Sequence, residues 1–516
     1  MTSSIAFHLN KGRNRQEGLD QDRSNSTLAD ANDNHEKDNE DNSGDHNNND
    51  RDVENDHSEP KPVGFWDHSL KHVRLTIFRK WAVTTVMLCT FILAILSLYW
   101  GVLYGLTDKL SRLTVVVVSF DGQGYPAGTA TVVGDAVTRA AEQQAAITSG
   151  ALGFRVENPA DYNNDPLAVR QHVYDEHAWA AVIVNANASY LLQQAVAEGN
   201  ADYDPQGAMQ IVYVQARNEQ TYNNYIVPQL DKFLINIQAQ FGQQWISRVL
   251  ADDSLNAATY NNAPQALNPA IGASIFNLRP FSPPQATPAI SIGLIYLIII
   301  SFFTFSFYLP IHSQFLIPKG HPPLHFYQLV LWRLFATFLA YFFLSLAYSL
   351  VSLAFQIPFS NTTPEPQTAV VNNADAFGRG TFVVYWMLNL LGMYALGLAS
   401  ENVAMVIGQP WAALWLIFWV ITNVASSFYT IPLAPQFFNY GYAWPLHHVV
   451  NASRTIIFDT HSRLGLNFGV LAAWSAVNTA FFVPCALFMR WKAQKEHMRE
   501  LAGGDRKRKI KYLVDG

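Results

Sequence analysis

The sequence predicts an α-helical polytopic membrane protein with six transmembrane helices, one plus five, and an extracytoplasmic α/β domain between helices 1 and 2. Two observations predict this fold. Six apolar stretches are each long enough for a helix to cross a hydrocarbon core about 30 Å thick. A polar block, 105–288, separates the first stretch from the other five. The stretches are 82–104, 289–309, 329–354, 382–400, 411–431 and 467–489.

Cationic residues flank the set of apolar stretches and predict its orientation. Five lysine and arginine residues lie between Lys61 and Lys80, just before the first stretch. A second basic run, 506–511, follows the last stretch. Short segments rich in Lys and Arg stay in the cytoplasm. Both termini are therefore expected to be cytoplasmic, with the polar block outside the cell or in an organelle lumen.

The first 60 residues differ in composition from the rest of the chain. They contain 15 Asp and Glu against 6 Lys and Arg, and almost no large apolar residues. Such a segment cannot bury enough surface to offset its chain entropy. We expect a solvated spacer here, with a regulatory or partner-docking tail as the alternative. The first apolar stretch begins too late for a cleavable signal, so it is expected to act as a signal anchor.

These boundaries divide the chain into five parts. They are a disordered acidic cytoplasmic tail (1–60), a basic flank with the first transmembrane helix (61–104), the extracytoplasmic α/β domain (105–288), a five-helix transmembrane domain (289–489) and a basic cytoplasmic tail (490–516).

The polar block alternates between strand-like and helix-like segments. Short β-branched or apolar runs predict strands at 113–120, 153–157, 179–186 and 209–216. Helical patterns follow them, ending in a long amphipathic stretch at 218–250. Strands that alternate with helices of this length favour crossover units and a largely parallel sheet. The segment 251–288, rich in Asn and Pro, is expected to be irregular.

Signals of catalysis are missing from the sequence. It has no Walker A loop, no strand-linked GxGxxG, no HExxH and no CxxC. Its two cysteines, Cys89 and Cys485, lie in the first and last apolar stretches. We therefore expect no enzyme activity, cofactor or metal, and no nucleic-acid partner.

Three glycosylation sequons fall in segments that the charge pattern places outside. They begin at Asn187, Asn361 and Asn451, and each is a candidate acceptor in an accessible segment. A fourth, at Asn25, lies in the cytoplasmic tail and is expected to stay unmodified.

Charged residues close to the bilayer are costly to bury and are candidates for function. Glu401 ends the fourth apolar stretch near the cytoplasmic face. It either lies at the interface or pairs with a cation and shapes a polar crevice. Arg333, at the start of the third stretch, is expected to snorkel to the cytoplasmic face. Arg454 and Asp459 fall in a predicted outer loop, where both are expected to be largely solvated.

Two segments carry a family resemblance. ALGLASEN at 395–402 and FFNYGYAWPLHHVVNASRTIIFDT at 437–460 resemble the signature regions of a fungal membrane-protein family. Its best-known member confers resistance to nitrosoguanidine. The matching positions of the outer-loop motif are Tyr440, Gly441, Tyr442, Ala443, Pro445, Ala452, Arg454, Thr455 and Ile456. His447 and His448 stand where that family often has Asn. The resemblance covers about residues 65–500.

The resemblance implies a plasma-membrane protein, with endosomal membranes as a second location. It implies a role in drug tolerance through transport or through control of lipid distribution between leaflets. The one-plus-five arrangement also resembles the membrane halves of type-two ABC exporters and phage-infection proteins. This implies membrane lipids as partners, a drug or lipid as substrate, and a homodimer as an assembly. The competing hypothesis is a non-transporting scaffold whose outer domain binds a partner or the cell wall.

Glu401 and Arg454 are the residues that we expect to matter for activity. They lie near opposite faces of the five-helix unit. The Arg454 guanidinium is suited to bind a lipid phosphate through paired hydrogen bonds, which Lys reproduces poorly.

The predicted orientation is open to a direct test. Glycosidase treatment should increase the electrophoretic mobility of the wild-type protein, and Asn187→Gln should reduce that shift. An unglycosylated block 105–288 that protease digests from the cytoplasmic side of sealed vesicles would contradict the orientation.

Overall fold

The computed structural model describes residues 62–125, 130–315, 321–322, 324–359, 377–408 and 410–514. The chain divides into two compact units, the first ending at Arg74 and the second covering Leu75–Gly516. Helix α1 (Lys71–Gly101) is the first long helix. The remaining architecture belongs to the second unit.

A five-stranded sheet forms the centre of the α/β domain, in the order β2-β1-β3-β4-β5. Its strands are β1 (Thr114–Ser119), β2 (Gly153–Glu157), β3 (Ala180–Val184), β4 (Met209–Tyr213) and β5 (Ala273–Asn277). The first four lie within the predicted strand positions. The fifth lies in the segment that was expected to be irregular, so that expectation is wrong for β5.

The sheet is mixed rather than largely parallel. β1 runs parallel to β2 and to β3, whereas β4 runs antiparallel to β3 and parallel to β5. Met209, which opens β4, pairs with Val184, which closes β3. The chain must therefore return from the far end of the intervening helix before β4 begins. It does so through residues 199–208, where the Asn185 backbone amide donates to the Ala208 carbonyl at 3.0 Å.

Helices cover both faces of this sheet, as its continuous apolar strands require. The helices of the domain are α2 (Val132–Ala145), α3 (Pro166–Tyr174), α4 (Ala188–Glu198), α5 (Glu219–Thr221), α6 (Val227–Leu250) and α7 (Ala257–Tyr260). Helices α2, α4 and α6 pack on the face that buries Val115 and Val117. Helix α3 packs on the face that buries Val116 and Val118.

Among the described residues, five helical segments are long and apolar enough to cross a membrane. They are His68–Gly101, Pro284–Ser313, Phe326–Ala354, Gly378–Ile407 and Leu464–Lys492. The helices after the α/β domain are α8 (Thr287–Ile290), α9 (Ile295–Ser313), α10 (Phe326–Ala354), α11 (Thr381–Ile407), α12 (Trp411–Ala425), α13 (Pro445–Phe458) and α14 (Leu464–Val514).

The predicted span at 411–431 is shorter in the structure. Helix α12 has 15 residues, or about 22 Å at 1.5 Å per residue, which is less than a hydrocarbon core of about 30 Å. It ends at Ala425, and Pro432 and Pro435 follow in a segment of short 3-10 turns. The predicted stretch 411–431 therefore extends beyond the α-helix that it contains.

Helix α11 is the central helix of the membrane region, and small residues let its neighbours approach. A methyl group added at Gly397 would overlap the Tyr341 hydroxyl of α10 and the Ser301 side chain of α9. One added at Gly392 would lie 2.9 Å from a Val449 methyl of α13. Small residues at helix crossings allow close backbone packing in membranes.

The segment predicted to be an outer loop contains the helix α13. Most of its residues are buried, including Arg454, and Asp459 at its C-terminal end is buried as well. The expectation that Arg454 and Asp459 are solvated is therefore wrong. The physical reason is that α13 packs against α11 and also contacts the α/β domain, so no side of it is left largely to solvent.

Candidate functional site

Glu401 and Arg333 form a buried ion pair between two candidate spans, termed here the span pair. Glu401 of α11 is 4% exposed and Arg333 of α10 is 3% exposed. Arg333 Nη2 donates to Glu401 Oε1, and Thr337 Oγ1 donates to Glu401 Oε2 at 3.4 Å. Arg333 does not snorkel to the cytoplasmic face as expected. The carboxylate of α11 neutralises it inside the bundle, which removes the need to reach water.

A small polar cavity adjoins the span pair. It has a volume of about 10 Å³, close to the minimum that holds one water molecule. Its other polar lining residues are Thr304, Tyr308, His312 and Thr337. Glu401 lies six residues before the end of α11, or about 9 Å inside the helix. The pair therefore belongs to a polar crevice within the membrane region.

Arg454, the second residue singled out from the sequence, pairs with the α/β domain. Its Nη2 lies 3.1 Å from Oε2 of Glu219, which opens α5. Both side chains are buried. Among the described residues, Arg454 Nε and Glu219 Oε1 have no hydrogen-bond partner. The ion pair therefore connects α13 to the α/β domain. One polar atom of each of the two side chains remains available for a further hydrogen bond.

A second buried ion pair holds the C-terminal end of α13. Arg279 Nη2 lies 2.7 Å from Asp459 Oδ2, and Arg279 Nε donates to the Asp459 carbonyl at 2.9 Å. The Tyr174 hydroxyl donates to the same carbonyl at 3.1 Å. Asp459 has a φ of 58°, the left-handed conformation that Asp adopts more readily than most residues at the end of a helix. We refer to Arg454–Glu219 and Arg279–Asp459 as the α13 ion pairs.

A cleft of about 140 Å³ lies where α13 meets the α/β domain. We term it the α13 cleft. Three arginines line it, Arg217, Arg454 and Arg463, against one carboxylate of the lining, Glu176. Glu176 pairs with Arg463 at 3.2 Å and with Arg217 at 3.7 Å. Together with Glu219, which pairs with Arg454, two carboxylates face the three guanidinium groups, and the remaining positive charge favours an anionic group such as a phosphate.

His447 lines the same cleft and is held as a neutral ring. Its Nδ1 lies 3.1 Å from the Ser426 carbonyl, and its Nε2 lies 3.0 Å from Asn451 Nδ2. Because a carbonyl only accepts and an amide nitrogen only donates, these partners assign the proton to Nδ1. Burial, followed by the neighbouring His448, lowers the pKa of the His447 ring to about 4.

The three candidate glycosylation residues have different surroundings. Asn187 is half-buried and immediately precedes α4. Asn451 uses its Nδ2, the atom that would carry a glycan, to donate to His447, which is unfavourable for modification. Asn361 lies outside the described residues. Among the described residues, no group of three or more His, Cys, Asp or Glu side chains could hold a metal ion.

The sequence gives no indication that Glu219 and Arg279 are the partners of Arg454 and Asp459. Glu219 lies 235 positions from Arg454, and Arg279 lies 180 positions from Asp459. Glu219 is in a stretch predicted as an amphipathic helix, and Arg279 is in one predicted as irregular. Neither position carries a motif, so only the tertiary structure brings these charges together.

Five candidate membrane-spanning helices among the described residues define a membrane protein, and its α/β domain lies in the sequence between the first and the second of them. Residues 84–480 match the family described as "Protein of unknown function (DUF3533)", and this chain belongs to that family. It is 26% identical over 439 residues to the Saccharomyces cerevisiae protein named "Uncharacterized endoplasmic reticulum membrane protein YJR015W", which covers 82% of each chain. No solved structure matches it. Neither match carries a nitrosoguanidine-resistance name, so that implication stays a prediction.

The buried neutral ring of His447 predicts a pH-dependent stability. The folded state keeps the ring neutral, whereas the unfolded chain takes up a proton near pH 6.5. The free energy of unfolding should therefore fall as the pH decreases from about 6.5 towards 4, by about 2 kcal/mol between pH 7 and pH 5. Thermal unfolding of the purified protein in detergent at the two pH values measures this loss.

His447→Asn keeps a donor near the Ser426 carbonyl but removes the titrating ring, so it should reduce the loss. His461→Asn, a partly exposed histidine of the same cleft, serves as the control and should retain the contribution of His447. An equal pH dependence in the wild type and in His447→Asn would contradict the assignment.

Proposed function

We propose that this protein moves a lipid or an amphipathic drug across the membrane, or controls lipid distribution between the leaflets, and thereby contributes to drug tolerance. Membrane lipids are its partners in this proposal, and a homodimer is its assembly. The tolerance includes nitrosoguanidine, as the family resemblance implies. Both termini are cytoplasmic in the proposal, which therefore takes the apolar stretch 411–431 as a sixth crossing of the membrane.

The span pair is the observation that carries this proposal. A charged side chain inside a membrane helix is costly, by about 2.5–3.5 kcal/mol or more at the centre of the helix and less towards its ends. Replacing a buried ion pair with apolar residues is often neutral or stabilising by about 1–4 kcal/mol. A protein that only anchors a domain has no need of Arg333 and Glu401 inside its spans. Their burial beside a polar cavity supports a role in passing polar groups through the bundle.

The α13 cleft supports a lipid or another amphipathic anion as the substrate. Arg454 lines it and has an unpartnered Nε, while Arg463 extends an exposed side chain at the same place. A phosphate can accept hydrogen bonds from both. In this proposal the α13 cleft binds the anionic group of the substrate. The span pair then acts on that group as it passes through the helix bundle.

The location is a separate part of the proposal. The resemblance implies the plasma membrane or endosomes, whereas the yeast relative is named as an endoplasmic reticulum membrane protein. We favour the plasma membrane, where drug tolerance by transport or by lipid asymmetry has its direct effect. A fluorescent fusion expressed at its native level distinguishes the three compartments.

Reconstitution of the purified protein alone into vesicles tests the activity. Fluorescent phospholipid and nitrosoguanidine flux should exceed that of protein-free vesicles. Glu401→Gln removes the charge of the span pair, and Arg454→Lys replaces the guanidinium fork with a point charge. Each should lower the flux at least about 10-fold if it removes a charge-assisted hydrogen bond worth 1.5–3 kcal/mol. The same variants should lower nitrosoguanidine tolerance in cells.

Glu198→Gln and Arg139→Lys are matched controls on exposed helix positions and should keep the wild-type flux. If Glu401→Gln and Arg454→Lys reach the membrane at normal abundance and confer full tolerance, the assignment of these two residues is wrong. Wild-type vesicles without flux would instead favour the scaffold alternative.

A further inference from the structure

A groove of about 480 Å³ lies among α11, α12 and α14. This volume is within the range of about 300–1,000 Å³ typical of small-molecule sites. Apart from the amides of Asn402 and Asn478 and the Cys485 thiol, its lining is aromatic or aliphatic. The Phe481 ring at its edge is 58% exposed. Since α11 and α14 are candidate spans, the groove opens sideways from the helix bundle, towards lipid.

Four tryptophans form one wall, and we therefore call it the tryptophan groove. Trp415 and Trp419 stack with centroids 5.5 Å apart, and Trp419 also contacts Trp444 and Trp474 at 5.9 and 5.6 Å. Three of the indoles donate a hydrogen bond, to Leu396, Thr422 and Ala443. The fourth, Trp415, has a buried Nε1 that finds no partner within the described part of the chain.

Asn402 carries a hydrogen-bond acceptor that complements the donor of Trp415. Its side chain is 5% exposed, and its Nδ2 donates to the Asn478 carbonyl at 2.9 Å. This bond fixes which end of the amide is nitrogen. Its Oδ1 has no partner among the residues that the structure describes. Two side chains that line this apolar groove thus carry one buried donor and one buried acceptor without a described partner, which is rare in folded proteins.

We propose that the tryptophan groove binds a sterol. The sterol hydroxyl accepts from Trp415 Nε1 and donates to Asn402 Oδ1, so a single group pairs both atoms. A phosphate can only accept and would leave Asn402 unpaired. The flat, rigid ring system packs against the indole wall and loses less conformational entropy than a flexible acyl chain.

The positions of the polar atoms along the helices fit a sterol lying in one leaflet. Asn402 lies five residues before the end of α11 and Trp415 four residues after the start of α12, about 6–8 Å from the helix ends. The hydroxyl therefore lies towards the membrane surface. The ring system extends past Trp419 towards Trp444 and Trp474. The sterol proposal is independent of the proposed transport activity, because a sterol can bind to the groove without being moved across the membrane.

Saturable binding of tritiated ergosterol to the full-length purified protein in detergent tests the proposal. Unlabelled ergosterol should compete, whereas its 3-methyl ether, which lacks the donor, should compete at least several-fold more weakly. Trp415→Phe keeps an aromatic ring, smaller than the indole, and removes the donor, so it should weaken binding about 3- to 10-fold. Val406→Trp fills the groove at its edge and should abolish binding.

Two exposed positions outside the groove provide matched controls. Trp100→Phe on α1 and Val477→Trp on α14 should bind ergosterol as the wild type does. The proposal is overturned if binding is not saturable, or if the methyl ether competes as well as ergosterol. It is also overturned if ceramide or dioleoylglycerol competes better, or if the controls lose binding as much as the groove variants do. The methyl-ether comparison uses only wild-type protein and so does not depend on the folding of any variant.

Discussion

The requirement that a buried charge has a partner determines how the two parts of this protein join. Helix α13 supplies a cation to the α/β domain through Arg454–Glu219 and an anion through Arg279–Asp459. Breaking a buried pair by removing one partner costs about 3–5 kcal/mol. Because the two pairs have opposite polarity, α13 cannot be reversed on the domain without placing like charges together. The α13 cleft follows from this attachment.

The same helix also packs against the centre of the membrane region. Val449 of α13 lies against Gly392 of α11, and α11 carries Glu401 further along its length. The α13 cleft and the span pair are thus joined through two helices in direct contact. This contiguous packing gives a physical route by which an anion bound at the cleft could influence the bundle, and a coupling measurement between the two places would establish it.

The sequence predicted the elements better than their arrangement. The run Val115–Val118 is apolar on both faces, and the strand β1 forms there because helices cover both sides. The antiparallel β4 was not predictable, because the direction of a strand depends on the path of residues 199–208. Glu401 was a candidate because charge near a bilayer is costly, and Arg454 because it lies in the segment that carries the family resemblance. Their partners, Arg333 and Glu219, depend on tertiary packing, so Arg333 was expected to snorkel and Glu219 was not considered.

The coupling free energy between Arg454 and Glu219 tests the central claim most directly. A double-mutant cycle with Arg454→Met, Glu219→Gln and the double variant isolates it, with unfolding of the purified protein in detergent as the readout. Each single variant should lose about 3–5 kcal/mol, and the double variant should lose clearly less than their sum because it leaves no unpaired buried charge. Additive losses would show that the two side chains do not stabilise each other, and that α13 is held to the α/β domain by other contacts.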